Sequence, residues 1–350
     1  MAMMNDDILY IQRCLELAQL GLGHVSPNPM VGAVLVYQNR ILAEGFHRCY
    51  GEAHAEINCL NAVRAEDRKF IPESTLYVSL EPCCHTGKTP PCTDRIIQEK
   101  IPSVVILNID PNPLVQGRGL DLLQQAGVEV KRLANQDAGW MLNRRFWTQQ
   151  IHRRPYVILK WAMDSEGMMG KSDERIQISN AMSQQLVHQW RTEEDAIWVG
   201  YRTILTDNPE LNVRFVPGRS PRPLFYDRDL SLPATLKIFR NSDKLVFHSS
   251  EHGDKDLLID DADNFVPEIL NRCLQKNIGS ILIEGGPHLL EKIIRCGLYD
   301  ELRIISSDHR IGGNLPAPEK RKNWHLMDNY SLGSDTISMY LNVTTQTWLS

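Results

Sequence analysis

Apolar positions recur at helical spacing over residues 8–20, where Ile8, Leu9, Ile11, Leu15, Ala18 and Leu20 precede Gly21, a residue suited to ending a helix. Two β-rich runs follow, Met30–Tyr37 and Arg40–Phe46, and the Gln38-Asn39 pair between them predicts a hairpin. Residues 54–64 and Thr93–Lys100 read as helices, Thr75–Leu80 as a strand, and Val104–Ile109 as a strand buried on both faces. This alternation over the first 130 residues predicts an α/β sandwich. From about 137 to 154 the pattern gives way to charged and aromatic residues, Asn143-Arg144-Arg145-Phe146-Trp147 and His152-Arg153-Arg154-Pro155. A boundary near residue 148 is therefore expected, giving domains 1–148 and 149–350. Beyond it, strands at Tyr156–Met163, Ala196–Gly200, Pro223–Tyr226, Lys244–Phe247 and Ser280–Ile283 are interspersed with helices over 180–191, 266–276 and 287–296, a second α/β unit. Met182, Leu186, Val187 and Trp190 share one face of the first of these helices and are expected in the core, with Ser179 or Asn180 as N-cap. Residues 306–350 follow neither period, apart from the strand-like Ser338–Val343.

A length of 350 residues agrees with two domains, and 42% hydrophobic with 23% charged residues is ordinary globular usage that excludes a disordered chain. The formal net charge of −5 leaves no basic footprint for duplex nucleic acid or an anionic membrane surface. No window approaches the ~20 apolar residues that a spanning helix requires. The opening Met1-Ala2-Met3-Met4-Asn5-Asp6-Asp7 lacks the basic and apolar regions of a secretory signal. Eight cysteines in such a chain are expected as thiols or metal ligands in a reducing cytoplasm.

The densest chemistry runs from Gly51-Glu52-Ala53-His54-Ala55-Glu56 to Glu81-Pro82-Cys83-Cys84-His85-Thr86-Gly87-Lys88-Thr89-Pro90-Pro91-Cys92. One imidazole and two thiolates suit zinc, and three protein ligands leave a tetrahedral position for a water whose pKa falls toward ~7. Glu56, two residues beyond His54, is placed to shuttle protons. Zinc deaminases carry His-x-Glu followed by Pro-Cys-x-x-Cys; here eight residues separate Cys83 from Cys92. That longer loop resembles the deaminase half of the bifunctional riboflavin-biosynthesis deaminase/reductase family. Pro27-Asn28-Pro29-Met30-Val31-Gly32, Gly45-Phe46-His47 and Asp110-Pro111-Asn112-Pro113 add to the resemblance. It implies a cytidine-deaminase-like α/β/α sandwich, zinc on His54, Cys83 and Cys92, Glu56 as the catalytic residue and Asn28 as a substrate contact.

The second half has no Gly-x-Gly-x-x-Gly, so a Rossmann dinucleotide site is not supported. Ile283-Glu284-Gly285-Gly286-Pro287 reads as strand end, turn and helix start, where backbone N–H groups suit a phosphate, although such a sequence alone is more often a plain turn. Together with Leu159-Lys160-Trp161-Ala162, Ile178-Ser179-Asn180, Trp190-Arg191, Glu194-Asp195-Ala196-Ile197 and Thr206-Asp207-Asn208-Pro209, it resembles the reductase half of the same family. The resemblance implies a dihydrofolate-reductase-like domain, NADPH contacts at Met163, Gln177, Thr203, Asp207 and Gly286, and substrate contacts at Arg175, Arg191, Leu211, Arg214 and Glu284. Arginines suit a ribose phosphate because the guanidinium fork matches phosphate oxygens.

Two departures bear on this half. Asp164-Ser165-Glu166-Gly167 stands where the family usually has Ser-Leu-Asp-Gly, and Arg175-Ile176-Gln177 stands where a tryptophan commonly precedes the helix entry. The missing aromatic either weakens cofactor binding or is made good by Met168-Met169. The expected partners are a phosphoribosylated pyrimidine and further copies of the chain in a homo-oligomer, without nucleic acid or membrane. Three alternatives stay open at this point. The second domain could be catalytically silent, the first could act on nucleic-acid bases, or Cys84 could complete a four-ligand structural zinc site.

Overall fold

The computed structural model describes residues 6–87, 90–113, 115–134, 136–172 and 174–346; Met1–Asn5 and the Lys88-Thr89 pair of the cysteine loop lie outside the described residues. The chain forms two compact units, Met1–His152 and Arg153–Ser350.

The first unit runs α1 (Asp6–Gln19), β1 (Gly32–Tyr37), β2 (Arg40–Phe46), α2 (Ala55–Asn61), β3 (Thr75–Leu80), α3 (Cys92–Gln98), β4 (Ser103–Asn108), α4 (Arg118–Gln125), β5 (Glu129–Arg132), α5 (Asp137–Leu142) and α6 (Arg144–His152). Its sheet has the order β2-β1-β3-β4-β5, antiparallel across β2, β1 and β3 and parallel from β3 to β5. Alternate strand residues feed two helical layers. Val34, Val36, Tyr77, Val105 and Leu107 pack with Ile11, Cys14 and Leu17 of α1. Ala33, Leu35, Leu76, Val78, Val104 and Ile106 pack with Ala55, Cys59 and Leu60 of α2, Ile96 of α3 and Leu123 of α4. The period of two thus makes a three-layer sandwich. In α1 the buried stripe is Ile11, Cys14, Leu17 and Ala18, while the apolar Ile8, Leu9 and Leu20 face outward. The hairpin turn forms as expected, with Gln38 (φ 46°) and Asn39 (φ 62°) both left-handed.

The units divide after His152, a little beyond the boundary expected near residue 148, because α6 buries Phe146, Trp147, Thr148 and Gln149, and Trp147 packs on Trp140. Asn143, buried where α5 meets α6, ties this end of the unit to the segment before β1: its Oδ1 accepts the Met30 N–H at 2.7 Å and its Nδ2 donates to the Met30 carbonyl at 2.9 Å. Asn143→Ala leaves a buried donor and acceptor without partners and is expected to cost about 2–4 kcal/mol, read as a lowered denaturation midpoint of the full chain.

The second unit runs β6 (Tyr156–Met163), α7 (Ala181–Glu193), β7 (Ala196–Trp198), α8 (Tyr201–Asp207), β8 (Arg222–Tyr226), β9 (Leu245–Phe247), α9 (Phe265–Gln275), β10 (Ser280–Ile283), α10 (Pro287–Cys296), β11 (Glu301–Ser307), β12 (Trp324–Leu332) and β13 (Asp335–Asn342). Its sheet has the order β12-β13-β11-β6-β10-β7-β8-β9, parallel from β11 to β9 with an antiparallel β13-β12 extension. α9 and α10 cover one face through Val266, Ile269, Leu270, Leu290, Ile293 and Ile294. On the other, α7 contributes Val187 and Trp190, and α8 contributes Ile204. Met182 is 49% exposed rather than in the core, because α7 buries the stripe of Ser183, Val187 and Trp190 and Met182 stands beside that stripe. Asn180 is the N-cap, its side chain accepting the Ser183 N–H at 2.9 Å.

The chain leaves β10 through α10 toward β11 on one side and leaves β7 through α8 toward β8 on the other. The carboxyl ends of these neighbouring strands therefore flank a crevice where the winding reverses, the place where open α/β sheets bind ligands.

Candidate active sites

In the first unit, β3 delivers Cys83 just past its carboxyl end and the N-terminus of α3 supplies Cys92. His54 precedes the first residue of α2, and Glu56 lies in that helix's first turn. Gly45 allows α2 this close to β2, since a Cβ there would lie 2.3 Å from the Cys59 nitrogen. The ligand atoms of His54, Cys83 and Cys92 all fall within 4.8 Å of one another, and His54 Nδ1 lies 3.5 Å from each sulfur. The donors fit zinc by type, one imidazole and two thiolates, and by number for an open site. Cys84 does not belong to this converging set.

The Cys92 thiol, and then His54, draw the Cys83 thiol below its ordinary value against the effect of burial, and the Cys92 N–H adds a hydrogen bond to its sulfur at 3.4 Å. Glu56 is 3% exposed; burial, then the neighbouring Cys83, push its carboxyl up to about 7, and it meets the Cys92 thiol. His54, Cys83 and Glu56 line a cavity of about 340 Å³ together with Asn28, His47, Glu81, Asp110, Asn112 and Phe146. His47 Nδ1 lies 3.2 Å from the Ala53 carbonyl, so this nitrogen carries the proton and Nε2 accepts the Asn28 amide at 3.1 Å. Burial holds His47 below the usual imidazole value. Glu81 accepts the N–H groups of Asp110, Gly117 and Gly119 at 3.2, 3.0 and 3.0 Å, fastening the segment that brings Asp110 and Asn112 to the cavity.

A second cavity, of about 480 Å³, brings together Arg175, Arg191, Thr203, Asp207, Leu211, Arg214 and Glu284, with Lys237 and Glu210. Glu284 follows β10 and is held by Arg191 through both arms of the fork, Nε at 2.8 Å and Nη2 at 3.0 Å, and by Lys160 at 3.4 Å. Burial opposes its ionisation, but Arg191 and Lys160 outweigh burial and hold the carboxyl at about 2. His188 is pushed down to about 4 by burial and by Arg191 and Arg214, and its neutral Nδ1 accepts the Arg214 N–H at 3.0 Å. Asn208 (φ 42°) and Leu211 (φ 57°) hold the cavity wall in left-handed backbone that costs non-glycine residues energy, a conformation concentrated at functional sites.

Met163, Gln177 and Gly286 do not line this cavity. Met163 ends β6 and packs on the core, Gln177 is exposed with its amide on the Ser179 carbonyl, and Gly286 caps α10. Met169 packs against the core and Met168 bridges Pro316, so neither fills the cavity. His47, Glu81 and Lys160 lie inside the family-like blocks, where no residue-type rule marks them apart from their neighbours, whereas Lys237 carries no local signal at all.

Residues 4–108 match the family model for the cytidine and deoxycytidylate deaminase zinc-binding region, and residues 155–338 match the RibD C-terminal domain. The chain is 32% identical to the riboflavin biosynthesis protein RibD of Aquifex aeolicus, over 87% of this chain and 88% of that protein. It is 35% identical to RibD of Actinobacillus pleuropneumoniae, covering 88% and 85%. Its structure is similar to that of a diaminohydroxyphosphoribosylaminopyrimidine deaminase/5-amino-6-(5-phosphoribosylamino)uracil reductase from Thermotoga maritima, with a TM-score of 0.86, 30% identity and coverage of 96% and 98%. Acinetobacter baumannii RibD matches equally, with a TM-score of 0.86 at 30% identity and the same coverage. A zinc-suited donor set in one unit and an arginine-lined cavity in the other, matched over most of both chains, place this chain in the RibD family of bifunctional riboflavin-biosynthesis enzymes, zinc-dependent deaminases joined to NADPH-dependent reductases.

Proposed function

We propose that the first unit deaminates 2,5-diamino-6-(5-phosphoribosylamino)pyrimidin-4(3H)-one and that the second reduces the ribosyl chain of 5-amino-6-(5-phosphoribosylamino)uracil to ribityl. The observation that carries this reading is the convergence of His54, Cys83 and Cys92 beside the buried Glu56. These three side chains would hold the zinc, which when bound supplies the Lewis acidity that makes water nucleophilic at neutral pH. Glu56 takes the proton of the attacking water on its carboxylate and returns it to the departing amine, a role that its burial beside the three ligands supports. Asn28, fixed by His47, contacts the pyrimidine.

In the second unit Met163, Gln177, Thr203, Asp207 and Gly286 are proposed to bind NADPH. The N-terminus of α10 at the switch-point crevice supports this placement. NADPH when bound supplies a hydride, and the chain supplies orientation. Arg175, Arg191, Leu211, Arg214 and Glu284 are the proposed substrate contacts, supported by the cavity that collects them.

Among the described residues no helix is long and apolar enough to cross a membrane. We further propose a cytoplasmic setting without nucleic-acid or membrane partners, supported by the charge of −5, and a homo-oligomer, checked by light scattering.

Ammonia release and NADPH oxidation followed in one sample test the pair of reactions: ammonia followed by matching NADPH loss is expected. Ammonia without NADPH loss would leave a silent second domain. Stripping the metal with a chelator is expected to stop ammonia release and to leave NADPH oxidation on supplied deaminated substrate unchanged.

A further inference from the structure

The charges that line the second cavity do not balance. Arg175, Arg191, Arg214 and Lys237 face Asp207, Glu210 and Glu284. Arg191 closes its fork on Glu284, which Lys160 also reaches, and gives Nη1 to the Asn212 carbonyl at 3.0 Å. Arg214 reaches Glu210 at 3.4 Å and lies over the Phe215 ring. Arg175 is the cation facing Asp207. Among the described residues the ammonium of Lys237 has no carboxylate within ion-pair distance.

This lysine is also anchored where it stands. It is half-buried and opens a short 3₁₀ turn, Lys237–Arg240, and its N–H donates to Asn208 Oδ1 at 2.7 Å. Asn208 belongs to the left-handed wall of the cavity, so the stem of Lys237 is fastened to the same segment that carries Leu211 and Arg214. An ammonium without an anion on a polar cavity wall is a compact point charge suited to a phosphate.

We propose that Lys237 is the phosphate anchor of the second cavity, receiving a phosphate monoester on its ammonium. This rests on the reductase reading of the unit and has two candidate sources there, the 5′-phosphate of the substrate and the 2′-phosphate of NADPH. The committed arginines then hold the carboxylates in place, and the surplus charge receives the incoming dianion.

Ribose 5-phosphate and adenosine 2′-monophosphate titrated calorimetrically into the full-length protein separate the sources, with ribose and adenosine as controls. Lys237→Gln is expected to weaken one of the two phosphates about 10-fold or more and to leave the unphosphorylated controls unchanged, since a charged hydrogen bond is lost. Weakened ribose 5-phosphate assigns the anchor to the substrate; weakened adenosine 2′-monophosphate assigns it to the cofactor. Lys237→Arg is expected to restore most of the affinity. Binding of both phosphates within twofold of the wild type overturns the proposal, as does a wild type that binds neither or an equal loss for the controls. NADPH oxidation by the wild type, measured alongside, judges the reductase reading separately, because the titrations need no turnover.

Discussion

Glu56→Gln is expected to keep about one zinc per chain and to lower deaminase turnover by roughly 10²–10⁴-fold, the range that a general acid–base group contributes. The substitution keeps the shape of a side chain buried in the first turn of α2 and removes only its capacity to carry a proton. The three groups suited to the metal, His54, Cys83 and Cys92, are untouched, so metal content by atomic absorption should equal that of the wild type. NADPH oxidation on supplied deaminated substrate should also be unchanged, since the second cavity lies wholly on residues of the other unit. Ordinary turnover in the variant would remove Glu56 from its role. Loss of zinc together with turnover would make it a packing residue whose replacement collapses the site.

The first site was legible in the sequence for a physical reason. Its groups arrive in two short blocks, His54 with Glu56 at the start of α2 and Cys83 with Cys92 between the end of β3 and the start of α3. Ligand chemistry restricts such positions to very few residue types, so the pattern survives without any knowledge of the fold. The second site gathers Arg175, Arg191, Asp207, Lys237 and Glu284 from five separate segments, each offering one ordinary charged residue. Lys237 is informative only once Asn208 is seen to hold its backbone. Strand β12 escaped for a related reason: it is an edge strand with most of its residues exposed, so no apolar alternation marks it, whereas its buried neighbour β13 was partly visible. Met182 shows the converse, an apolar residue at helical spacing that stands one position off the stripe of Ser183, Val187 and Trp190 that α7 buries.

Glu284→Gln is expected to produce the largest effect on the second unit, both in stability and in turnover. Glu284 is the common anion of Arg191 and Lys160, whose nitrogens reach it at 2.8, 3.0 and 3.4 Å. Removing one partner of such a buried set leaves cations without compensation and costs about 3–5 kcal/mol, read from chemical unfolding of the full chain. The pH dependence has a definite sign. The carboxyl is held at about 2 instead of its ordinary 4.5, so its contribution, on the order of 3 kcal/mol, is fully present above about pH 4.5. That contribution disappears as the pH falls from 4.5 through 2, and the stability gap between wild type and Glu284→Gln should narrow over that interval. A gap constant from pH 7 down to pH 2 would show that Glu284 contributes through packing, not charge. Reductase turnover should fall in the variant even where the unit remains folded, because Arg191, released from its carboxylate, no longer stands where the cavity needs it. Ammonia release should continue in the same sample, since Glu284 and its two cations belong to the second unit while the zinc-suited set lies in the first.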